Sequence, residues 1–311
     1  MHRFTRKWAW SMNLLVAVSA VAMSGTAVAE ESEQPVPTLA GSGCEPGGRL
    51  FAPGEISLPD RSEYRLSFAP DGKTAYYHVD AATPPYQAIY VTRLQDGHWT
   101  PGEVVSFSGT YDDSDPFVSP DGQSLYFSSI RPVNGVPRED YDLWVVRRVG
   151  NGWGTPEHLG PAVNSPRHEL YVSVTTDGTL FFARGTFDSD FEIHQARRDG
   201  SGYAAAQNLG RGVNSPDTWE YNPWVSPDGR FLIFASLWRP EGYGLGDLYV
   251  SINLGGTWMP AVNLGPSVNT EKDEFHPSMS PDLRRLYFVR QTWDPFTPSD
   301  FYQFDTRCLW R

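Results

Sequence analysis

Apolar residues along this chain come in short runs that alternate with polar positions and are broken by Pro, Asp and Gly, the pattern of many short β-strands. One unit shows it clearly. Phe117 to Ser119 ends a strand, Pro120-Asp121-Gly122 turns, and Leu125-Tyr126-Phe127 is the second strand. After a loop, Asp142-Leu143-Trp144-Val145-Val146 forms a third strand, and Gly152-Trp153-Gly154-Thr155-Pro156 turns into a fourth. Pro presets φ in the turn and Gly supplies a positive φ, while β-branched and aromatic residues suit the strands.

The turn recurs as Ala69-Pro70-Asp71-Gly72, Ser119-Pro120-Asp121-Gly122, Thr175-Thr176-Asp177-Gly178, Ser226-Pro227-Asp228-Gly229 and Ser280-Pro281-Asp282-Leu283. Its Asp returns at intervals of 50, 56, 51 and 54 residues, the length of one four-stranded propeller blade. A connector repeats too: Leu159-Gly160 with Val163-Asn164-Ser165, Leu209-Gly210 with Val213-Asn214-Ser215, and Leu264-Gly265 with Val268-Asn269-Thr270. The expected fold is therefore all-β, a five-bladed β-propeller of four-stranded antiparallel blades in one domain over 49–311. Blade 5 runs out after Phe301-Tyr302-Gln303-Phe304, and the stretch from Leu50 to Ile56 matches the outer strand of blade 1 around Trp99. The N-terminal strand is thus expected to complete the last blade and close the ring. Turns with Thr176 in place of Pro and Leu283 in place of Gly are expected to be looser.

Residues 1–29 read as an export signal: Arg3, Arg6 and Lys7, an apolar run from Leu14 to Met23, then Ala27-Val28-Ala29. Residues 30–48, rich in Pro, Gly, Ser and Glu, read as a flexible leader. Losing the three basic residues takes the formal charge from −12 to −15, which argues against a nucleic-acid partner. No later stretch has the length of a membrane helix, and a periplasmic or secreted monomer is expected. The two cysteines, Cys44 and Cys308, flank the closing strands, and in an exported protein they are expected to form a disulfide, worth about 5 kcal/mol at most.

Eight residues before each signature Asp stands a carboxylate: Glu63, Asp113, Glu169, Glu220 and Glu274. In a propeller these begin the innermost strands and would ring one channel mouth. Five such charges repel, so some must bind protons, or a cation or basic side chain must neutralise them. A group present in every blade can equally serve every blade, by accepting backbone N–H groups where the connector meets the strand. Arg131, Arg184, Arg239 and Arg290 end the second strands, and each is expected to pair across the hairpin with Asp142, Asp190, Asp247 or Asp300; blade 1 has no such Arg. Trp219, Trp224, Trp238, Tyr243, Trp293 and Phe296 gather in blades 4 and 5 near the expected mouth, whereas Trp99, Trp153 and Trp258 take an outer-strand position expected to be interblade core. An aromatic cluster beside acids and arginines suits a sugar ring or a peptide.

Metal and nucleophile signals are faint. His168 and His276 stand near Asp273 and Asp115 without the spacing of a zinc protease, and Asp112-Asp113-Ser114-Asp115 lacks the Gly and distal Glu of an EF-hand, so no cofactor is expected beyond an optional structural calcium ion. The chain has no Gly-x-Ser-x-Gly elbow, phosphate loop or dinucleotide fingerprint.

The Ser-Pro-Asp-Gly turns, each followed by a Leu-Tyr-Phe-like and then an Asp-Leu-Tyr-Val-like strand, resemble the WD-like propeller repeats of the TolB type over residues 49 to 306. That family includes periplasmic interaction scaffolds, propellers attached to peptidases, and some polysaccharide lyases. The resemblance implies export and binding more than a reaction. The leading expectation is a non-enzymatic module holding an envelope protein segment or glycan, with Glu63, Asp113, Glu169, Glu220, Glu274, Arg239, Arg290, Trp219, Trp238 and Trp293 as ligand-binding residues. The alternative is a glycoside hydrolase or polysaccharide lyase that uses Glu169, Glu220 and Glu274.

Overall fold

A computed structural model describes residues 45–309 except 294. The expected export signal, most of the leader, and Cys44 lie outside the described residues, and the expected Cys44–Cys308 disulfide falls there with them.

The described chain folds as a five-bladed propeller of antiparallel blades. The inner strands are Glu63–Phe68, Asp113–Val118, His168–Val174, Trp219–Val225 and Asp273–Met279. The second strands are Thr74–Asp80, Ser124–Ser129, Leu180–Gly185, Phe231–Leu237 and Arg285–Gln291. The third are Gln87–Gln95, Asp142–Val149, Phe191–Ala196, Gly246–Leu254 and Asp300–Asp305. Outer strands are short; in blades 1, 2 and 4 two pieces, such as Gly152–Trp153 and Glu157–His158, pair with one third strand. Among the described residues no helix is long and apolar enough to cross a membrane.

Ring closure comes from the N-terminal segment, as expected, but the closing strand is Arg49–Leu50 rather than the whole stretch from Leu50 to Ile56. Arg49–Leu50 is the outer strand of blade 5, with Arg49 opposite Gln303 and Leu50 opposite Tyr302. The backbone N–H of Phe51 continues the ladder to the Phe301 carbonyl at 2.7 Å. Gly48, at φ +71°, fits this approach because a Cβ there would stand 2.7 Å from the Gln303 carbonyl oxygen.

All five signature turns share one geometry, including the two expected to be looser. The N–H of Gly72, Gly122, Gly178, Gly229 and Leu283 donates to the carbonyl three residues back at 2.8 to 3.0 Å. Leu283 itself takes φ +59°. The side chains explain why: Asp282 accepts from the Ser280 hydroxyl at 2.6 Å and from the Arg284 N–H at 3.1 Å, so the Asp and Ser hold the turn whatever follows them.

Blades bury their faces against each other. Trp153 of blade 2 packs edge-on against Tyr76 of blade 1, Trp258 of blade 4 against Phe181 of blade 3, and Trp99 of blade 1 against Phe51 of the closing segment. The three outer-strand tryptophans are interblade core, as expected. Trp224 is buried as well and packs on Phe231, so it does not belong to the channel mouth. Trp224 stands opposite Ile233 near the signature turn, whereas the loops of the mouth lie at the other end of the strand, which begins with Trp219.

The connectors lock each blade to the next through their Asn. The Asn164, Asn214 and Asn269 side chains each accept from one third-strand N–H and donate back to the same residue's carbonyl. The partners are Leu143, Ile193 and Leu248, at 2.8 to 3.1 Å. All three Asn side chains are buried, so truncation strands a backbone donor and acceptor. Asn214→Ala should lower the unfolding free energy by about 2–4 kcal/mol, read from urea denaturation; a loss within the error of the wild-type value would contradict the clamp.

Candidate functional site at the channel and its rim

The five carboxylates that begin the inner strands are fully shielded from solvent, each with an arginine against it. Arg61 meets Glu63 at 2.5 Å, Arg131 meets Asp113 at 2.8 Å, Arg184 meets Glu169 at 2.7 Å, Arg239 meets Glu220 at 2.9 Å, and Arg290 meets Glu274 at 2.6 Å. A basic side chain therefore neutralises each acid. The expected hairpin pairing to third-strand aspartates is corrected here. Glu169 on the inner strand stands directly opposite Arg184 on the second, and Glu274 opposite Arg290, so the register puts each acid beside its arginine. Blade 1 does have its arginine: Arg61 comes from the segment before the inner strand.

Each clamp has further contacts. The arginines donate to connector carbonyls, Arg184 to Val163 at 2.7 Å, Arg290 to Val268 at 3.0 Å, and Arg131 to Phe107. They also stand over the buried second-strand aromatics Tyr77, Phe127, Phe182, Phe234 and Phe288, at 5.3 to 5.9 Å from the ring centres. Connector hydroxyls and amides complete the acids: Ser165 donates both to Glu169, and Thr270 both to Glu274. Burial raises the carboxyls of Glu63, Asp113, Glu169 and Glu220, while the arginines pull the other way.

The third-strand aspartates organise loops instead. Asp247 accepts the N–H groups of Tyr243 and Gly244 at 2.7 and 3.0 Å, Arg138 binds Asp142 at 3.0 Å, and Arg167 binds Asp190.

The expected aromatic cluster forms two groups. Trp219 and Trp238 meet edge to face at 5.4 Å, and Trp219 continues to Phe191 and Phe187. Trp293 instead pairs with Phe296 and donates from its Nε1 to Asp273 Oδ2 at 2.8 Å. All lie on or beside the loops between second and third strands. Trp238, Tyr243, Trp293 and Phe296 are exposed, as are Phe187 and Leu245. Trp238 sits at φ +66°, a conformation a bulky residue adopts only when its surroundings hold it.

A second ring occupies the channel itself. Every inner strand carries a bulge, and one bulge residue in each takes a left-handed φ of 50° to 63°: Arg65, Asp115, Tyr171, Asn222 and His276. They stand six residues before each signature Asp. Arg65 crosses the channel from blade 1, and its Nη2 donates to the Val172 carbonyl of blade 3 at 2.7 Å and the Pro223 carbonyl of blade 4 at 3.0 Å. Asp115 Oδ1 lies 3.8 Å from His78 Nδ1 and 3.7 Å from His276 Nδ1. The His276 ring packs among Tyr64, His78 and Tyr171.

Of the groups noted for metal binding, Asp112 accepts the Tyr86 N–H, Asp113 is clamped by Arg131, and Asp115 turns to the channel. His168 accepts the Tyr141 N–H away from His276. Among the described residues no group of three or more His, Cys, Asp and Glu is arranged to hold a metal ion.

Burial sets the protonation of the channel. It pushes Asp115 and Asp273 up to about 7 and Asp80 to about 6, and His78 down to about 3. His276 is also driven down by burial, and Arg65 is lowered to about 10, which leaves it charged at neutral pH.

No family model matches the sequence, and no curated protein matches it significantly. Solved structures do share the fold. A provisionally named TolB from Agrobacterium tumefaciens aligns with TM-score 0.53 and 19% identity over 79% of this chain and 78% of that one. A thermostable family-43 glycoside hydrolase aligns with TM-score 0.53 and 11% identity over 80% of this chain and 91% of that one. An endo-arabinase from Bacteroides thetaiotaomicron aligns with TM-score 0.53 and 16% identity over 84% and 97%. At these identities the likeness is one of fold, shared by TolB-type propellers and glycoside hydrolases alike.

The buried acids give a pH dependence with a definite sign. Asp80, Asp115 and Asp273 hold protons more tightly folded than unfolded, so between about pH 4 and pH 7 the folded state binds the extra protons. Their contribution to stability is complete below that window and is lost as pH rises through it. The turn acids Asp177, Asp228 and Asp282, lowered by hydroxyl hydrogen bonds, act oppositely and lose theirs as pH falls below about 4. The buried histidines His78, His194 and His276, driven down, oppose the acids below about pH 6.5, so the urea midpoint should rise from pH 8 to about pH 6.5 and drop under pH 4; a midpoint that climbs steadily to pH 8 would refute this assignment.

Proposed function

We propose that this chain is an exported, non-enzymatic binding module that holds a protein segment or glycan against the aromatic loops of blades 3 to 5. One observation carries the reading: the exposed large apolar side chains on the second-to-third-strand loops of blades 3 to 5 are, Leu245 apart, aromatic. Trp238, Tyr243, Trp293 and Phe296 offer broad apolar faces, and Trp238 keeps its strained backbone for a side chain that stays exposed. The repeated acids have equivalent surroundings, whereas acid and base catalysis needs carboxyls in different ones.

Asp273 supports the glycan-cleaving alternative. It is buried beneath Trp293, raised by burial to about 7, and has Oδ1 without a partner. A glycoside hydrolase would set it against a second carboxyl about 5–9.5 Å away, and Glu169, Glu220 and Glu274 are held by arginines.

Envelope extract and a glycan array, each probed with wild-type chain and with Trp238→Ala and Trp293→Ala, separate the two. Both substitutions fall on exposed side chains, so the fold should survive, and retention of the bound partner should weaken at least about tenfold. Wild-type chain should release no reducing ends or unsaturated sugars from a polysaccharide panel. Release that disappears in Asp273→Asn would replace the binding reading with the enzymatic one.

A further inference from the structure

The middle of the channel holds a buried cation whose partners do not account for it. Arg65 is wholly shielded from solvent, and its two hydrogen bonds both leave from Nη2, to backbone carbonyls. Nε and Nη1 are buried and have no partner among the described residues. No described carboxylate comes within 4 Å of the guanidinium to form an ion pair; the acid whose charge it feels is Asp115. Asp115 is itself pushed toward neutrality by burial, and the flanking His78 and His276 are neutral for the same reason. A buried guanidinium whose nearest acid is only partly ionised and makes no ion pair with it is costly, since each unmet donor forfeits its hydration.

The neighbouring groups favour a negative guest. Asn222 is fully buried, and its orientation is fixed because its Oδ1 accepts the His276 N–H at 3.1 Å. Its Nδ2 therefore remains a donor, and that donor is unpartnered. Arg65 Nε, Arg65 Nη1 and Asn222 Nδ2 together offer more N–H bonds than Asp115 Oδ1 and His276 Nδ1 offer acceptors. A planar, singly charged oxyanion suits guanidinium and amide donors, and the chain's net charge of −12 disfavours a multiply charged one.

We propose that the channel centre is a binding site for one small carboxylate, held by Arg65 Nε and Nη1 and by Asn222 Nδ2. The site is separate from the aromatic rim and does not depend on what the rim holds. Five inner strands converge on it, so its occupant ties blades 1 and 4 together from within.

Formate is the probe. The full chain is melted at pH 7 in rising sodium formate, with ionic strength held constant by sodium fluoride, and formate binding is measured by calorimetry. The wild type should show a saturable rise in melting temperature and a one-to-one isotherm. Arg65→Met should abolish both, but it also removes the ties to Val172 and Pro223, so its loss of binding is read only alongside its circular dichroism. Asn222→Asp keeps the acceptor for the His276 N–H and exchanges the amide donor for a carboxylate oxygen whose charge Arg65 can offset, so it should remain folded and bind formate at least about tenfold more weakly. A flat formate response in wild type, an equal saturable response to chloride, or unchanged formate affinity in Asn222→Asp would each overturn the proposal.

Discussion

Three consecutive connector residues fasten each of blades 3 and 5 to the blade before it. In Val163-Asn164-Ser165 the Val carbonyl accepts from Arg184, the Asn pairs with both backbone groups of Leu143, and the Ser donates twice to Glu169. Val268-Asn269-Thr270 repeats every contact with Arg290, Leu248 and Glu274. A tripeptide thus fastens the outer edge of one blade to the head of the next inner strand with buried hydrogen bonds, several of them charge-assisted. In blades 3 and 5 the position of the inner strand, and the placing of the loops above it, follows from that fastening; blade 4 keeps the Val213 and Asn214 contacts, with Thr218 and Ser236 in place of the connector hydroxyl at Glu220.

Scaffold and recognition are divided by symmetry. Whatever recurs in each blade is engaged within the fold: the clamped acid and the arginine above an aromatic ring inside it, the Asp-held turn at its surface. Whatever differs from blade to blade lies in the channel or on the rim. Arg65, Asp115, Tyr171, Asn222 and His276 share one left-handed bulge position but no chemistry, and the exposed aromatics belong to blades 3 to 5. Breaking the repeat at a position that the backbone keeps equivalent lets the molecule change what it binds without disturbing how it folds.

The same division decides what was legible in the sequence. Blade number, turn positions and ring closure by Arg49–Leu50 could be read because each rests on repetition. Arg61 escaped because it replaces its counterparts from a different place in the chain. Leu283 misled because the turn is held by Asp282 and Ser280 rather than by the residue with positive φ. Trp224 misled because it lies near the turn end of the inner strand, away from the mouth where Trp219 stands. The channel ring was hidden for the opposite reason: its position recurs six residues before every signature Asp, but its side chains share no type, so a search for likeness passes over it. Only the backbone conformation marks the five as equivalent.

The central claim is that the repeated acids serve the fold and leave binding to the positions that do not repeat. A double-mutant cycle on Glu169 and Arg184, read by urea denaturation alongside partner retention, tests it most directly. Glu169→Gln and Arg184→Met should each cost about 3–5 kcal/mol and be strongly non-additive, with retention by the folded variants unchanged. Additive, near-neutral effects on stability together with lost retention in Glu169→Gln would contradict the account.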